Sequence, residues 1–160
     1  MPDIGDAYYP ADIEPVKRGI PEGRYSSKII SLEVINNVSC GSGKYIADIF
    51  KPEYLIDPNE HPEYKGESVM DNGIFRYRKS DGYIYEPKKN WGYAKFMTIA
   101  NLYKSGSNSD HLPFLELNDI KGAVVLIDVF MKKFVNEYEK DVRYPVARAV
   151  QFTKPAEAPF

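Results

Sequence analysis

The chain has 160 residues, 43% hydrophobic and 28% charged side chains, and a formal net charge of −2, the make-up of one soluble globular domain. One cysteine, Cys40, and two histidines, His61 and His111, exclude a disulfide framework and any cysteine-rich or multi-histidine zinc site, so no metal or cofactor is expected. No window approaches the roughly 18 apolar residues of a membrane span, and Met1-Pro2-Asp3 opens no hydrophobic signal, so a cytoplasmic protein with no membrane partner is expected.

Residues 1–23 carry four prolines and no apolar period, which predicts an extended N-terminal arm ending in the turn Ile20-Pro21-Glu22-Gly23. A first strand is expected over 24–35, with a β-bulge near Ile29-Ile30 where the alternation slips and the faces swap. Residues 36–43 read as a polar connection and 44–56 as a second strand, in which Pro52 argues for an edge or an end. An acidic, proline-rich loop follows over 57–66. Residues 67–78 form a third strand or a hairpin, because Asp71-Asn72-Gly73 can turn the chain. Ser80-Asp81-Gly82 marks another turn.

The period changes over 90–104. Tyr93, Phe96, Met97, Ala100 and Tyr103 form one stripe at helical spacing, and Trp91, Lys95, Thr98 and Leu102 form another. Asn90 is the expected N-cap, Ser105-Gly106 the stop, and Trp91 is expected to pack into the core. A polar loop leads to 121–132, apolar on both faces and so read as a central strand. A charged connection over 133–141 precedes a last strand over 142–153, and 154–160 form a short tail.

Three strands, one helix and two strands in that order predict a mainly β fold, a five-stranded Greek-key barrel of the OB type over 24–153 with the helix between strands three and four. A five-stranded sandwich or a half-open α+β sheet are the alternatives. The residues Ile20-Pro21-Glu22-Gly23-Arg24-Tyr25, then Ile29 and Glu33, Gly43-Lys44-Tyr45-Ile46, Tyr64-Lys65-Gly66, and Leu117-Asn118-Asp119-Ile120-Lys121-Gly122 ahead of Val124-Val125-Leu126-Ile127 resemble a family of small phage and prophage proteins. The resemblance covers roughly residues 20–152. It departs from the family start at Ile20, where a leucine is usual, and at 79–90, which look like an insertion. It implies an OB-fold single-stranded DNA-binding protein acting in phage replication or recombination, in the host cytoplasm.

The aromatic content points the same way. Thirteen Tyr and eight Phe suit strands, and tyrosine suits half-wet surfaces. Charge is a patchwork: 1–23 carry net −3, 53–72 net −5, and 73–104 net +5. Single strands are bound by cations that track phosphates and rings that stack bases, and residues 75–91 interleave the two types. On a strand, Phe75 and Tyr77 share one face while Arg76 and Arg78 share the other, with Lys79 next in line. OB-folds bind across strands two and three between the first and last loops. That placement nominates Lys44, Tyr45, Lys51 and Tyr54, then Asn36, Asn37 and Ser42, and Lys132, Lys133, Tyr138, Lys140, Arg143 and Tyr144.

The terminus Pro159-Phe160 is similar to that of bacterial single-stranded DNA-binding proteins, which implies docking of replication or recombination proteins through Phe160. Self-association is left open. No enzymatic constellation is complete: Gly41-Ser42-Gly43-Lys44 lacks the Walker serine or threonine, Cys40 has no histidine beside it, and Ser109-Asp110-His111 are adjacent residues that cannot take triad geometry. The expected function is therefore non-catalytic, sequence-nonspecific binding of single-stranded DNA. A protein-interaction or virion module without nucleic-acid affinity and an oligosaccharide-binding barrel are the alternatives.

Overall fold

The computed structural model describes residues 19–80, 90–104, 112–135 and 141–157. The element order is β1 (Gly23–Cys40), β2 (Tyr45–Ile56), β3 (Ser68–Met70), β4 (Ile74–Lys79), α1 (Trp91–Ile99), α2 (Leu117–Ile120), β5 (Val124–Val135) and β6 (Asp141–Lys154). Single 3₁₀ turns lie at Gly41–Gly43 and Pro62–Tyr64. The fold is mainly β: six antiparallel strands form one sheet in the order β3-β2-β1-β5-β6, with β4 also on β2. Among the described residues no helix is long and apolar enough to cross a membrane.

The first strand is longer than its sequence pattern suggests, running through Asn36 and Asn37 to Cys40. It pairs with β5 over Gly23–Lys28 and with β2 from Ser27 to Cys40, so it is the strand that joins the two parts of the sheet. The bulge falls where expected. The register shifts between Ile29 and Ser31, and Ile30 is the extra residue. Before it Tyr25, Ser27 and Ile29 are buried; after it Leu32 and Val34 pack on the core instead. One inserted residue has moved the inward set from odd to even positions.

Pro52 stands in mid-strand, and β2 is a central strand rather than an edge, which corrects the sequence expectation. The reason is local. The third strand is broken opposite it, β4 pairing with Tyr45–Phe50 and β3 with Glu53–Leu55. The Pro52 carbonyl accepts the Asp71 amide at 2.9 Å. The N and C=O of one residue point to the same side of a strand, so the missing N–H lies on that broken side. The break gives six strands where five were expected. Asp71-Asn72-Gly73 does not make a hairpin. The Asp71 carboxylate accepts the Gly73 amide at 2.8 Å, Gly73 adopts φ +121°, and the chain kinks and returns to the same partner.

The sheet does not close. Among the described residues one parallel bridge, Asp71 to Ala147, joins the third strand to β6, with the Asn72 amide on the Ala147 carbonyl at 2.9 Å. Beyond that bridge α1 packs in the gap between β4 and β6. Tyr93, Phe96 and Met97 are the buried stripe of α1, and they join Phe50, Tyr54, Ile56, Val125, Ile127 and Val129 in one core. The Tyr93 hydroxyl donates to the Pro113 carbonyl and accepts the Leu115 amide, pinning the chain beyond the helix. The helix stops earlier than its sequence suggests. Asn101 takes φ +62°, and the Asn101 and Leu102 amides return to Thr98 and Met97, a Schellman closure.

The N-terminal arm and the tail are only partly described. Ile20 is buried in the core, so the folded domain begins before residue 24. At the other end the Glu157 amide reaches the Lys121 carbonyl and its carboxylate meets Lys28 at 3.2 Å.

Candidate functional site

The β2–β4 ladder sets the faces. Phe50 and Ile74, Asp48 and Arg76, and Ile46 and Arg78 are opposite pairs on the side that carries the core residue Phe50. Ile49 and Phe75, Ala47 and Tyr77, and Tyr45 and Lys79 are the pairs on the outer side. Phe75 and Tyr77 stack there, with ring centroids 5.6 Å apart and planes 21° from parallel, and both are half-buried. The expected alternation of rings and cations is present.

The cation face, however, turns inward. Arg76 is only 7% exposed; its guanidinium donates to the Leu112 carbonyl at 2.8 Å and lies over the Tyr93 and Phe114 rings at 5.8 and 5.3 Å. A buried cation persists only with such partners, so Arg76 is a structural residue here and not a phosphate contact. Arg78 is half-buried and donates to the Asn37 side chain at 2.9 Å. Tyr54 is a second correction. It is fully buried, its hydroxyl donates to Asp71 at 2.7 Å, and burial holds its phenol well above the ordinary value. β2 alternates without a slip, so Tyr54 shares the inner side with Phe50 and Ile56.

The remaining nominated residues fall into two groups. Lys44, Tyr45 and Lys79 lie at the β1–β2 turn end, where Tyr45 pairs with Lys79 and the Ser80 amide reaches the Lys44 carbonyl. Lys51, Lys132 and Tyr144 lie at the opposite end and line one cleft of about 330 Å³ together with Glu33 and Asp71. Lys132 and Tyr144 are an opposite pair on the β5–β6 ladder, and Tyr144 is 37% exposed. Lys133 and Arg143 form the next pair along and therefore point to the other side. Tyr45 and Lys51 are six positions apart on the strand, about 20 Å of outer face. Asn36 and Asn37 are strand residues, and Ser42 is exposed in the turn. Tyr138, Lys140, Pro159 and Phe160 lie outside the described residues.

A second cleft, of about 690 Å³, opens where β4 and β6 fail to pair. Phe75 and Tyr77 form one wall, Trp91 and Lys95 of α1 another, and Phe130 and Arg148 of β5 and β6 the third. Trp91 is 75% exposed, so the expectation that it packs into the core is wrong. It belongs to the same helical stripe as Lys95 and Thr98, which are exposed within α1; only Leu102, beyond the end of the helix, turns back onto the core. The Arg148 guanidinium lies over the Phe130 ring at 5.7 Å. The two clefts share Asp71 and Asn72, so they adjoin at the kink of the third strand. Asp71 is buried, and burial pushes its carboxyl up to about 6 against the pull of Gly73, Tyr54, Arg148 and Lys51. Asp128 is held low by Arg24, which contacts it at 2.7 Å.

Lys95, Phe130 and Arg148 were not singled out from sequence as ligand residues. Their signal was the pairing of Trp91 with Lys95 on one helical stripe; nothing local marks Phe130 or Arg148. Among the described residues no group of three His, Cys, Asp or Glu side chains could hold a metal ion. The chain matches no protein-family model, no curated protein and no solved structure.

Proposed function

We propose that the protein binds single-stranded DNA, without catalysis and without sequence preference, on an OB-type barrel in phage DNA replication or recombination. The observation that carries this reading is the stacked Phe75–Tyr77 pair on the outer face of β2 and β4, which runs toward the cleft lined by Lys51, Lys132 and Tyr144. Rings that offer a π-face to any base, next to cations that offer a track for phosphates, are the two components of sequence-tolerant binding.

Support for the barrel comes from the strand order. A long bulged β1 serves both β2 and β5, helices stand between the third-strand pair and β5, and the Asp71–Ala147 bridge runs parallel. In this reading β3 and β4 are one broken strand, which restores the count to five.

The test is a titration of a labelled mixed-sequence oligonucleotide, followed by anisotropy at several salt concentrations. We expect log affinity to fall linearly with log salt, at about 0.7 per phosphate contacted. Changing Lys51 and Lys132 together to alanine should reduce that slope by about 1.4, two contacts' worth. Tyr77→Ala should weaken binding by about 1–3 kcal/mol with the slope unchanged. Absence of binding at low salt would refute the reading.

A further inference from the structure

We propose that the seam between β4 and β6 is a second segment of the binding site, so that a bound single strand passes over the Asp71–Asn72 kink and continues between Trp91 and the Phe130–Arg148 pair. This rests on the function proposed above and extends it to residues outside the nominated face.

The seam has the composition that the outer face has, reached from different elements. Trp91 projects from the first turn of α1 with three-quarters of its surface exposed, an unusual position for an indole with nothing to cover. Lys95 stands one turn further along the same side of α1. Across the cleft, Arg148 lies on the Phe130 ring, which holds the fork flat and spends none of its donors. Phe75 and Tyr77 line this cleft and also belong to the outer face, so one ring pair borders both segments. The two carboxylates at the seam have partners besides Arg148, which stands opposite Asp128 on the ladder. Asp128 binds Arg24 through two contacts, at 2.7 and 3.1 Å, and Asp71 accepts from Tyr54 and Gly73. With Arg24 counted, three cations, Arg24, Lys95 and Arg148, stand against the two carboxylates, a net positive charge that favours a polyanion with flat, apolar bases. A volume of about 690 Å³ falls within the range of built ligand pockets.

The geometry fixes a length dependence. A short oligonucleotide fills the outer face alone, whereas a longer one reaches the seam. Trp91 is the chain's one tryptophan, so its emission reports on the seam and on nothing else. The experiment uses oligo-dT of about 5 and about 15 nucleotides, spanning the site sizes of single barrels. Anisotropy of a labelled strand measures binding, and tryptophan emission measures seam occupancy. We expect Trp91 emission to be quenched on saturation with the long strand and unchanged with the short one. In the protein carrying Lys95→Gln and Arg148→Gln together, affinity for the long strand should fall about tenfold and its salt slope by about 1.4, while affinity for the short strand is unaltered. Trp91→Ala, at an exposed position, should weaken only the long strand. Long-strand binding that leaves Trp91 emission and the double variant's slope unchanged would overturn the seam proposal and leave the outer-face reading intact. Failure of either strand to bind by anisotropy would overturn both.

Discussion

Asp71 carries a burden that no packing argument explains. It is 5% exposed, sits where the two clefts meet, and is braced by the Tyr54 hydroxyl and the Gly73 amide. Burial outweighs both donors and raises its carboxyl from 3.8 to about 6. A carboxyl raised on folding makes the folded state bind the proton more tightly than the unfolded state. Its stabilising contribution is therefore full below about 3.8 and is lost as pH rises through about 6. Two units correspond to roughly 3 kcal/mol. Asp71→Asn should consequently raise stability to urea at pH 8 by about 1–3 kcal/mol and change it little at pH 4. Equal effects at both pH values would show that ionisation is not the origin. Arg76 is the opposite case, a buried cation held by a carbonyl and two rings, opposite Asp48 on the ladder. Arg76→Ala should destabilise the protein by about 3 kcal/mol or more, since it leaves Asp48 buried without the facing cation. It should not alter the salt slope of oligonucleotide binding.

These two residues show what a local pattern reveals and what it hides. Alternation told that Phe75 and Tyr77 share a side and that Arg76 opposes them. Which side faces inward was hidden, because rings and guanidinium can each be buried and the pattern is symmetric between them. Tyr54 could have been placed. It has the parity of Phe50 and Ile56 in an unslipped strand, so it could not join Tyr45 and Lys51 on the outer face.

At the scale of elements, the bulge in β1 was legible because a slip in apolar alternation leaves a trace in the sequence. The break in the third strand was not, because Asp-Asn-Gly serves a hairpin and a kink equally well; partner geometry at Pro52 decides between them. In α1 both stripes are visible in the sequence, and a place at the helix start does not send Trp91 inward when its stripe-mate one turn on is Lys95. What fixes the helix against the sheet is Asn90, 2% exposed, whose side chain accepts the Tyr77 amide and donates to the Tyr77 carbonyl at 3.1 Å. It acts as a one-residue strand on the edge of β4 away from β2 and makes no side-chain hydrogen bond to cap its own helix. Asn90→Ala should therefore lower stability by about 1–3 kcal/mol through two orphaned backbone groups. Asn90→Asp keeps an acceptor for the amide but sets a carboxylate oxygen against the Tyr77 carbonyl. It should be no better than alanine, whereas a mere helix cap would tolerate aspartate fully. Urea denaturation of the two variants separates these roles.

Over the whole molecule, cohesion is uneven. β1 and β2 are paired over most of their length, and β5 and β6 over nearly all of theirs, whereas among the described residues the third strand meets β6 at the single Asp71–Ala147 bridge, with the Asn72 amide on the Ala147 carbonyl. The core nonetheless runs across both parts, with Phe50 and Tyr54 from one and Val125 and Ile127 from the other in the same cluster. Such a construction should open at the seam before it unfolds. An amide freed by seam opening exchanges at a lower free energy than one freed only by global unfolding. In native-state hydrogen exchange, the Asn72 amide should therefore open at least about 2 kcal/mol below the Phe50 amide, which lies in the middle of the β1–β2–β4 ladder. Saturating single-stranded DNA long enough to reach the seam should then slow Asn72 more than Phe50, because a ligand that bridges β4 and β6 stabilises the closed arrangement specifically. If Asn72 and Phe50 exchange with the same free energy in the unliganded protein, the bridge is part of the global unit, and the seam is a rigid trough instead of a hinge.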